Sequence, residues 1–308
     1  MHSRQLESFV ETARAGIFTK AARALYIAPS SLIQQIDLLE RRLDVRLFNR
    51  TPRGVTLTEA GKSLLADATD LMRLSREAVA RAQRIQKGEN SIRVATSLLM
   101  SCRLLPRIWS KLIEESPGTR VDIVSLESIG ATPGNYLYGL GSTYDVMEGL
   151  YMSELYRDRC LFFELERAPL CLAVSATSPL ASMPHVTSDM LHDLDLVMMR
   201  KGISTEYDAA RAYLRALGAQ RISDVPHYTM ELFADCGLND RAIITTQLWT
   251  DIHPQLATIP LEKKYSMPYG LIFAKRPSAQ ARSLLDFVGK LAAQKREGAL
   301  DGTTSQRD

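Results

Sequence analysis

Apolar positions in the first sixty residues recur at helical spacing in three short runs. Leu6, Phe9, Val10 and Ala13 form a stripe that stops at Gly16, a residue suited to ending a helix. Thr19 stands where a side chain can cap a second helix, whose inward residues are Ala21, Ala22 and Leu25. The stretch IAPSSLIQQIDLLERRL (27–43) then places Leu32, Ile36, Leu39 and Leu43 on one helical face. Pro29 fits its first turn, where a missing N–H costs nothing. The opposite face carries Ser30, Gln34, Asp37 and Arg41. Two short helices joined through Tyr26-Ile27-Ala28 make a helix-turn-helix pattern, whose second helix turns its outward residues to base edges. Val45, Leu47 and Phe48 return to the core. Arg50, Thr51, Pro52, Arg53 and Gly54 form a basic turn, and Val55 and Leu57 alternate as a strand does. The expectation for 1–57 is a winged helix-turn-helix with Arg50 and Arg53 at the wing tip, aimed at phosphates or the minor groove.

From Thr58 the period changes to that of one long helix. Leu64, Ala68, Leu71, Ser75, Ala78, Ala82 and Ile85 alternate spacings of four and three, with Leu65, Met72 and Val79 in a flanking row. That pattern describes a two-helix seam with small residues allowing close approach. A helix packed only on its own domain is the competing reading, and it would leave most of a 58–87 helix with nothing to cover. Leu64, Ala68, Leu71, Ala78 and Ala82 are the expected dimerisation residues. KGENS (87–91) then breaks the helix.

Strand-like and helical patterns alternate over 91–296. IRVAT (92–96), a helix through Leu104, Leu105, Ile108, Trp109 and Leu112, and VDIVSL (121–126) form a βαβ unit and imply parallel pairing. PLCLAV (169–174), LDLVMM (194–199), a helix over 205–217, AIITT (242–246) and YGLIFA (269–274) continue the series. A last amphipathic helix covers about 278–295, and 297–308 is a polar tail.

Composition narrows this without changing it. The chain has 308 residues, 45% hydrophobic and 24% charged, which suits two globular units. No apolar run reaches the length of about 18 residues that a membrane span needs. The start MHSRQLESF has no apolar segment of the signal-peptide kind, so a cytoplasmic protein is expected. Residues 1–89 carry 15 Lys/Arg against 10 Asp/Glu, whereas 90–308 carry 23 against 25. A basic head on a near-neutral body is the charge distribution of a nucleic-acid-binding unit joined to another domain. Cys102, Cys160, Cys171 and Cys236 are scattered, without CxxC or zinc spacing. Buried thiols in a reducing compartment are the simpler account, and a redox-sensing pair is the alternative.

The residues from RQLESF to LTEAG resemble the N-terminal winged helix of the LysR-type transcriptional regulators. The resemblance rests on Phe18, Ala21 and Ala22; on Gln35, Leu39 and Glu40; on Leu47, Phe48 and Arg50; and on Leu57, Thr58, Ala60 and Gly61. It implies DNA contact through Pro29, Ser30, Ser31, Ile33 and Gln34, with Thr19 and Lys20 on the preceding helix and Arg50 and Arg53 in the wing. Pro29 stands where the family commonly has Gln, and Ile33 where it commonly has Ser. Ile33, on the flank of the apolar face, is placed either to press on a thymine methyl or to extend the core. The resemblance further implies dimerisation of the heads through 58–87 and a homotetramer. The partners it implies are double-stranded promoter DNA, a small-molecule effector and RNA polymerase, with no membrane.

Across 91–296 the resemblance implies a two-lobed α/β effector domain of periplasmic-binding-protein type. Lobe one is 91–163 with 269–296, lobe two is 168–265, and the chain crosses near 163–168 and 265–269. Glu148 and Gly149 are unusual after Asp145-Val146-Met147, and LNDRAIITTQLW lacks the glycine-rich turn common there. Helix N-termini facing the cleft make an anion the expected effector. Thr96 and Ser97 end the first strand and open the first helix. Ser204 and Thr205 hold the equivalent place in lobe two, and Thr245 and Thr246 end another strand. Ordinary N-capping explains such residues equally well. No GxSxG, HExxH, P-loop or GxGxxG occurs, and His2, His185, His192, His227 and His253 are dispersed. No enzyme, cofactor or metal is therefore expected. The reading is a ligand-responsive, DNA-binding transcription regulator. A cysteine-based redox regulator, or a small-molecule-binding protein without gene regulation, is the alternative.

Overall fold

A computed structural model describes residues 4–51, 54–87, 91–132, 134–261 and 265–301. The chain divides into two compact units, Met1–Glu89 and Asn90–Asp308.

Unit one consists of α1 (Arg4–Ala15), α2 (Phe18–Ala24), α3 (Pro29–Leu43), the strands β1 (Phe48–Thr51) and β2 (Gly54–Leu57), and α4 (Glu59–Lys87). Phe9, Leu32 and Ile36 are wholly buried, as the apolar stripes require. Leu43 and Val45 stay exposed, on either side of Asp44, which turns left-handed directly after α3. Helix α2 starts two residues earlier than expected, with Ile17 at its cap position and no side-chain cap. Thr19 is thus an exposed residue inside the first turn. Thr58 does cap α4, its hydroxyl accepting the Gly61 N–H at 2.9 Å.

Two glycines let the wing pack. β1 and β2 pair antiparallel, with Thr51 opposite Gly54, and the Val55 N–H donates to the Gly16 carbonyl at 2.9 Å. Gly54 has φ +140°, and a Cβ there would lie 2.6 Å from that same carbonyl oxygen. At Gly61 a Cβ would meet the Leu47 carbonyl oxygen at 2.2 Å, so α4 lies directly on the chain entering β1.

The first turns of α4 belong to unit one's own core. Ala68 is buried among Phe9, Ile36, Leu39, Leu47 and Phe48, and Leu64 packs against the same cluster. This corrects the expectation that Leu64 and Ala68 form an intermolecular seam. Farther along, Leu71 is 56% exposed and Ile85 82%, with Ala82 exposed and Ala78 half-buried.

Unit two contains β3 (Ser91–Thr96), α5 (Leu105–Glu115), β4 (Arg120–Ser125), β5 (Val146–Leu150), α6 (Ser153–Tyr156) and the long β6 (Cys160–Ser175). Then follow α7 (Ser188–Leu191), β7 (Asp195–Met199), α8 (Thr205–Ala216), β8 (Arg221–Val225), α9 (Met230–Leu238), β9 (Ala242–Thr246), β10 (Leu256–Pro260), β11 (Ser266–Ala274) and α10 (Ala279–Asp301). The sheet order is β4-β3-β5-β11-β6-β9-β7-β8, with β10 also on β6. β3 pairs parallel with β4 and β5, and β7 with β8 and β9, as the βαβ pattern implies. β6 and β11 run antiparallel to their neighbours, so the sheet is mixed.

β6 joins the two lobes. Cys160–Pro169 pair with β11, and from Leu170 onward the partners are β9 and β10. The expected crossovers near 163–168 and 265–269 therefore fall on β6 and at the start of β11. Each lobe has its own apolar core: Ile92, Val94, Leu105, Phe273 and Leu284 in lobe one, and Leu172, Val197, Tyr207, Phe233 and Ile243 in lobe two. α6, α7, β8, α9 and β10 have no counterpart among the elements expected from the sequence. α10 continues to Asp301, past the expected end near 295 and into the segment expected as tail. No described helix is long and apolar enough to cross a membrane.

The close approach at Gly61 generates a prediction. Gly61→Ala should destabilise unit one by about 1–3 kcal/mol, because backbone rather than a mobile side chain must yield. Gly289→Ala meets nothing within 4 Å and should be neutral or stabilising by up to about 1 kcal/mol. Thermal unfolding of the two variants separates them.

Candidate functional site

In unit one, the polar side chains of α3 fall into two sets. One is used internally. Gln35 accepts from the Ser8 hydroxyl at 2.5 Å, tying α3 to α1. Glu40 accepts the Leu47 and Phe48 N–H groups at 2.7 and 3.1 Å, which fixes the entry to the wing. Arg50 lies in β1 rather than in the turn. It pairs with Asp37 at 2.5 Å and Glu40 at 3.3 Å, and its guanidinium lies 5.4 Å from the centre of the Phe18 ring. Arg50 is thus committed to bracing wing against helix, which corrects its expected place at the tip. Arg53, the other expected wing residue, lies outside the described residues.

The second set points outward. Pro29, Ser30 and Gln34 are exposed along α3, Thr19 and Lys20 along α2, and Ser31 is half-buried. Among the described residues, no side-chain hydrogen bond or ion pair engages Thr19, Lys20, Ser30, Ser31 or Gln34. Ile33 is half-buried and belongs to neither apolar cluster of this unit. A helix that presents unpaired donors and acceptors beside an apolar group has the chemistry of direct base readout.

In unit two the residues expected to bind an anion are taken up by the chain itself. Thr96 and Ser97 do not open a helix. The Thr96 hydroxyl donates to the Met100 carbonyl at 3.2 Å, and the Ser97 hydroxyl accepts the Met100 N–H at 3.0 Å, closing a tight turn. Helix α5 begins eight residues beyond Ser97, at Leu105. Its entry is held by Glu148, which has no solvent exposure and accepts the Arg103, Leu104 and Leu105 N–H groups at 2.9, 2.8 and 2.8 Å. Tyr269 donates its hydroxyl to the same carboxylate at 2.5 Å. Burial first, and then the Glu148 charge and hydrogen bond, push the Tyr269 phenol far above its ordinary value, so it remains a donor.

In lobe two a carboxylate again stands at a helix start, but it belongs to α8 itself and receives hydroxyls rather than a distant segment's N–H groups. Ser204 caps α8, its hydroxyl oxygen accepting the Tyr207 N–H, and donates to Glu206 at 2.7 Å. Thr205 and Ser153 donate to the same carboxylate at 3.1 and 3.3 Å. Burial works against the charged form of Glu206, but the Ser204 bond and the other donors outweigh it and hold the carboxyl below its ordinary value. Thr245 and Thr246 are wholly buried in the sheet at the end of β9.

A cavity of about 190 Å³ lies between the lobes, and none of those six hydroxyl residues lines it. Its wall comes from the turns just beyond the strand ends: Leu99–Arg103 after β3, Met199–Ile203 after β7, Pro226–Tyr228 after β8, and Leu248 and Trp249 after β9. Gly149, Leu150 and Tyr269 add the floor beside Glu148. The expected cleft exists, but neighbouring residues, mostly apolar and aromatic, build it. Their signal in the sequence is only that they follow strands, where ligands of α/β sheets bind.

The cysteines are poorly suited to redox sensing. Burial pushes the thiols of Cys102, Cys171 and Cys236 up to about 11, and Cys160 is buried too. A thiol that stays protonated is a weak nucleophile.

The family described as "Bacterial regulatory helix-turn-helix protein, lysR family" matches residues 3–62. The regulator BudR of Klebsiella aerogenes is 39% identical over 110 residues, which cover 36% of this chain and 76% of BudR. ClcR of Pseudomonas putida is 32% identical over 166 residues, covering 52% of this chain and 56% of ClcR. The chain thus spans about half the length of ClcR. The LysR-family regulator CbnR is 20% identical, with a TM-score of 0.57 over 94% of this chain and 99% of CbnR, and it has also been solved with its target DNA. The common architecture is a winged helix-turn-helix followed by a two-lobed α/β unit. This chain belongs to the lysR family of bacterial regulatory helix-turn-helix proteins.

Glu206 gives a pH prediction. A carboxyl held lower in the folded state stabilises above its unfolded value near 4.5 and loses that contribution as pH falls through it. Glu206→Gln should therefore melt a few degrees below the unmodified protein at pH 7. That gap should narrow steadily below about pH 4.5. Thermal unfolding at a series of pH values reads the difference.

Proposed function

We propose that this protein is a sequence-specific DNA-binding transcription regulator whose second unit responds to a small molecule. The observation carrying the proposal is the outward face of α3. Gln35, Asp37 and Glu40 are absorbed into the fold, whereas Ser30, Ser31 and Gln34 are left without partners on the helix that a helix-turn-helix places in the major groove. Pro29 and Ile33 flank them with apolar surface suited to a thymine methyl. Thr19 and Lys20, at the start of α2, serve as phosphate contacts, and so does Arg53. Arg50 acts indirectly, by holding the wing against α3.

Family membership and the CbnR–DNA complex support this reading. Self-association follows from α4, where Leu71, Ala82 and Ile85 remain uncovered beyond the part that packs on unit one. Pairing two such helices buries them and gives two DNA-reading heads, as a two-half-site operator requires. Assembly to a tetramer and contact with RNA polymerase belong to the same proposal. A ligand bound between the lobes would favour one lobe arrangement and so shift the populations of DNA-binding states.

Binding to the DNA upstream of its own coding sequence, measured against salt and compared with random duplex, tests the proposal. Specific DNA should be preferred at every salt concentration. Equal affinity throughout would overturn sequence-specific binding. Gln34→Ala should weaken specific binding by about 1–3 kcal/mol without changing the salt slope, whereas Lys20→Ala should lower the slope by about one. Leu71→Glu with Ile85→Glu should shift the protein toward monomer in sedimentation.

A further inference from the structure

We infer that the cavity between the lobes selects an uncharged, mainly apolar, ring-shaped ligand and discriminates against anions. This rests on the proposed role of unit two as the ligand-binding half of a regulator.

Charge is the first argument. A helix N-terminus attracts an anion through its free N–H groups and positive end. At α5 that attraction is spent, because Glu148 already accepts three successive N–H groups and the Tyr269 hydroxyl. At α8, the Thr205 and Tyr207 N–H groups go to the Ser153 and Ser204 hydroxyls, and both hydroxyls donate in turn to Glu206. A second carboxylate entering beside Tyr269 would face the buried Glu148 charge across a single side chain. Like charges close together in a water-poor site disfavour each other.

The wall is the second argument. Leu99, Met100, Leu150, Met152, Ile203 and Trp249 offer aliphatic, thioether and aromatic surface. Two of its aromatic polar atoms are turned away to protein partners. Trp249 Nε1 donates to the Leu99 carbonyl at 2.8 Å, and the Tyr228 hydroxyl donates to the Ile244 carbonyl at 2.5 Å. Arg103 and Arg200 also border the cavity, but both are exposed, and Arg103 donates to the Leu248 carbonyl at 3.3 Å. Solvent therefore screens them, unlike Glu148. Three methionines, Met100, Met152 and Met199, let the wall adapt to a flat ring. The volume accommodates on the order of ten non-hydrogen atoms.

Three probes of one shape and different charge test the inference on the full chain: benzamide, benzoate and benzamidine. Binding is read by calorimetry and by the shift in melting temperature. Benzamide should bind, and benzoate should bind at least tenfold more weakly. Benzoate binding as tightly as benzamide, or no binding of benzamide up to about 10 mM, would overturn the inference. Ile203→Trp, which fills the cavity, should abolish benzamide binding. Retained affinity would place the ligand elsewhere and overturn it too. Glu148→Gln should narrow the benzamide–benzoate gap where the variant folds; the three-probe comparison on the unmodified chain decides the matter regardless. Benzamide binding that leaves DNA occupancy unchanged supports the ligand inference while removing the regulatory role of the cavity. Tighter benzoate binding together with sequence-specific DNA binding does the reverse.

Discussion

Glu148 accepts three consecutive backbone N–H groups from the entry to α5 and a fourth bond from Tyr269 on β11. Buried N–H groups without an acceptor cost roughly 1–3 kcal/mol each, so one side chain holds β5, α5 and β11 in register. The floor of the cavity follows from this. Gly149 and Leu150 continue β5 beyond Glu148, Tyr269 comes from β11, and the Leu99–Arg103 turn leads directly into the N–H groups that Glu148 receives. Where many α/β proteins leave a helix N-terminus open to a bound anion, this chain has supplied the anion itself.

Unit one uses the same device at a smaller scale. Glu40 receives the Leu47 and Phe48 N–H groups and also pairs with Arg50, so the wing is anchored to α3 through one carboxylate. Arg50 is half-exposed, and its ion pairs contribute little stability by themselves. Their value is geometric: with Phe18 beneath the guanidinium, they set the angle between wing and helix. This sorting of polar residues gives the outward face of α3 its meaning. Ser30, Ser31 and Gln34 remain because the fold has no use for them, while neighbours of similar polarity are absorbed.

Much of this organisation was legible along the chain. Spacing of Leu32, Ile36 and Leu39 marked α3, Pro29 marked its start, and Thr58 marked the start of α4. The βαβ alternation from Ile92 onward announced parallel pairing, and the contiguous pattern from Phe18 to Gly61 announced the family. These signals are local: periodicity, caps and turn residues act within a few positions of each other. α6, α7, β8, α9 and β10 were missed because short or charge-rich segments carry little periodicity, and tertiary contacts decide them.

The sequence by itself therefore determined most of the elements, the division into a basic head and an α/β body, and the family. Only the tertiary structure decided which polar groups are spent. Arg50 moved from phosphate contact to brace, and Leu64 and Ala68 from an intermolecular seam to unit one's core. Thr96, Ser97, Ser204 and Thr205 became partners of turns and of Glu206, while Thr245 and Thr246 sank into the sheet. The reason is distance along the chain. Glu148 lies more than forty residues from the N–H groups it satisfies, and Tyr269 more than a hundred from Glu148. No local pattern encodes such a meeting, because folding alone brings the acceptor to the donors.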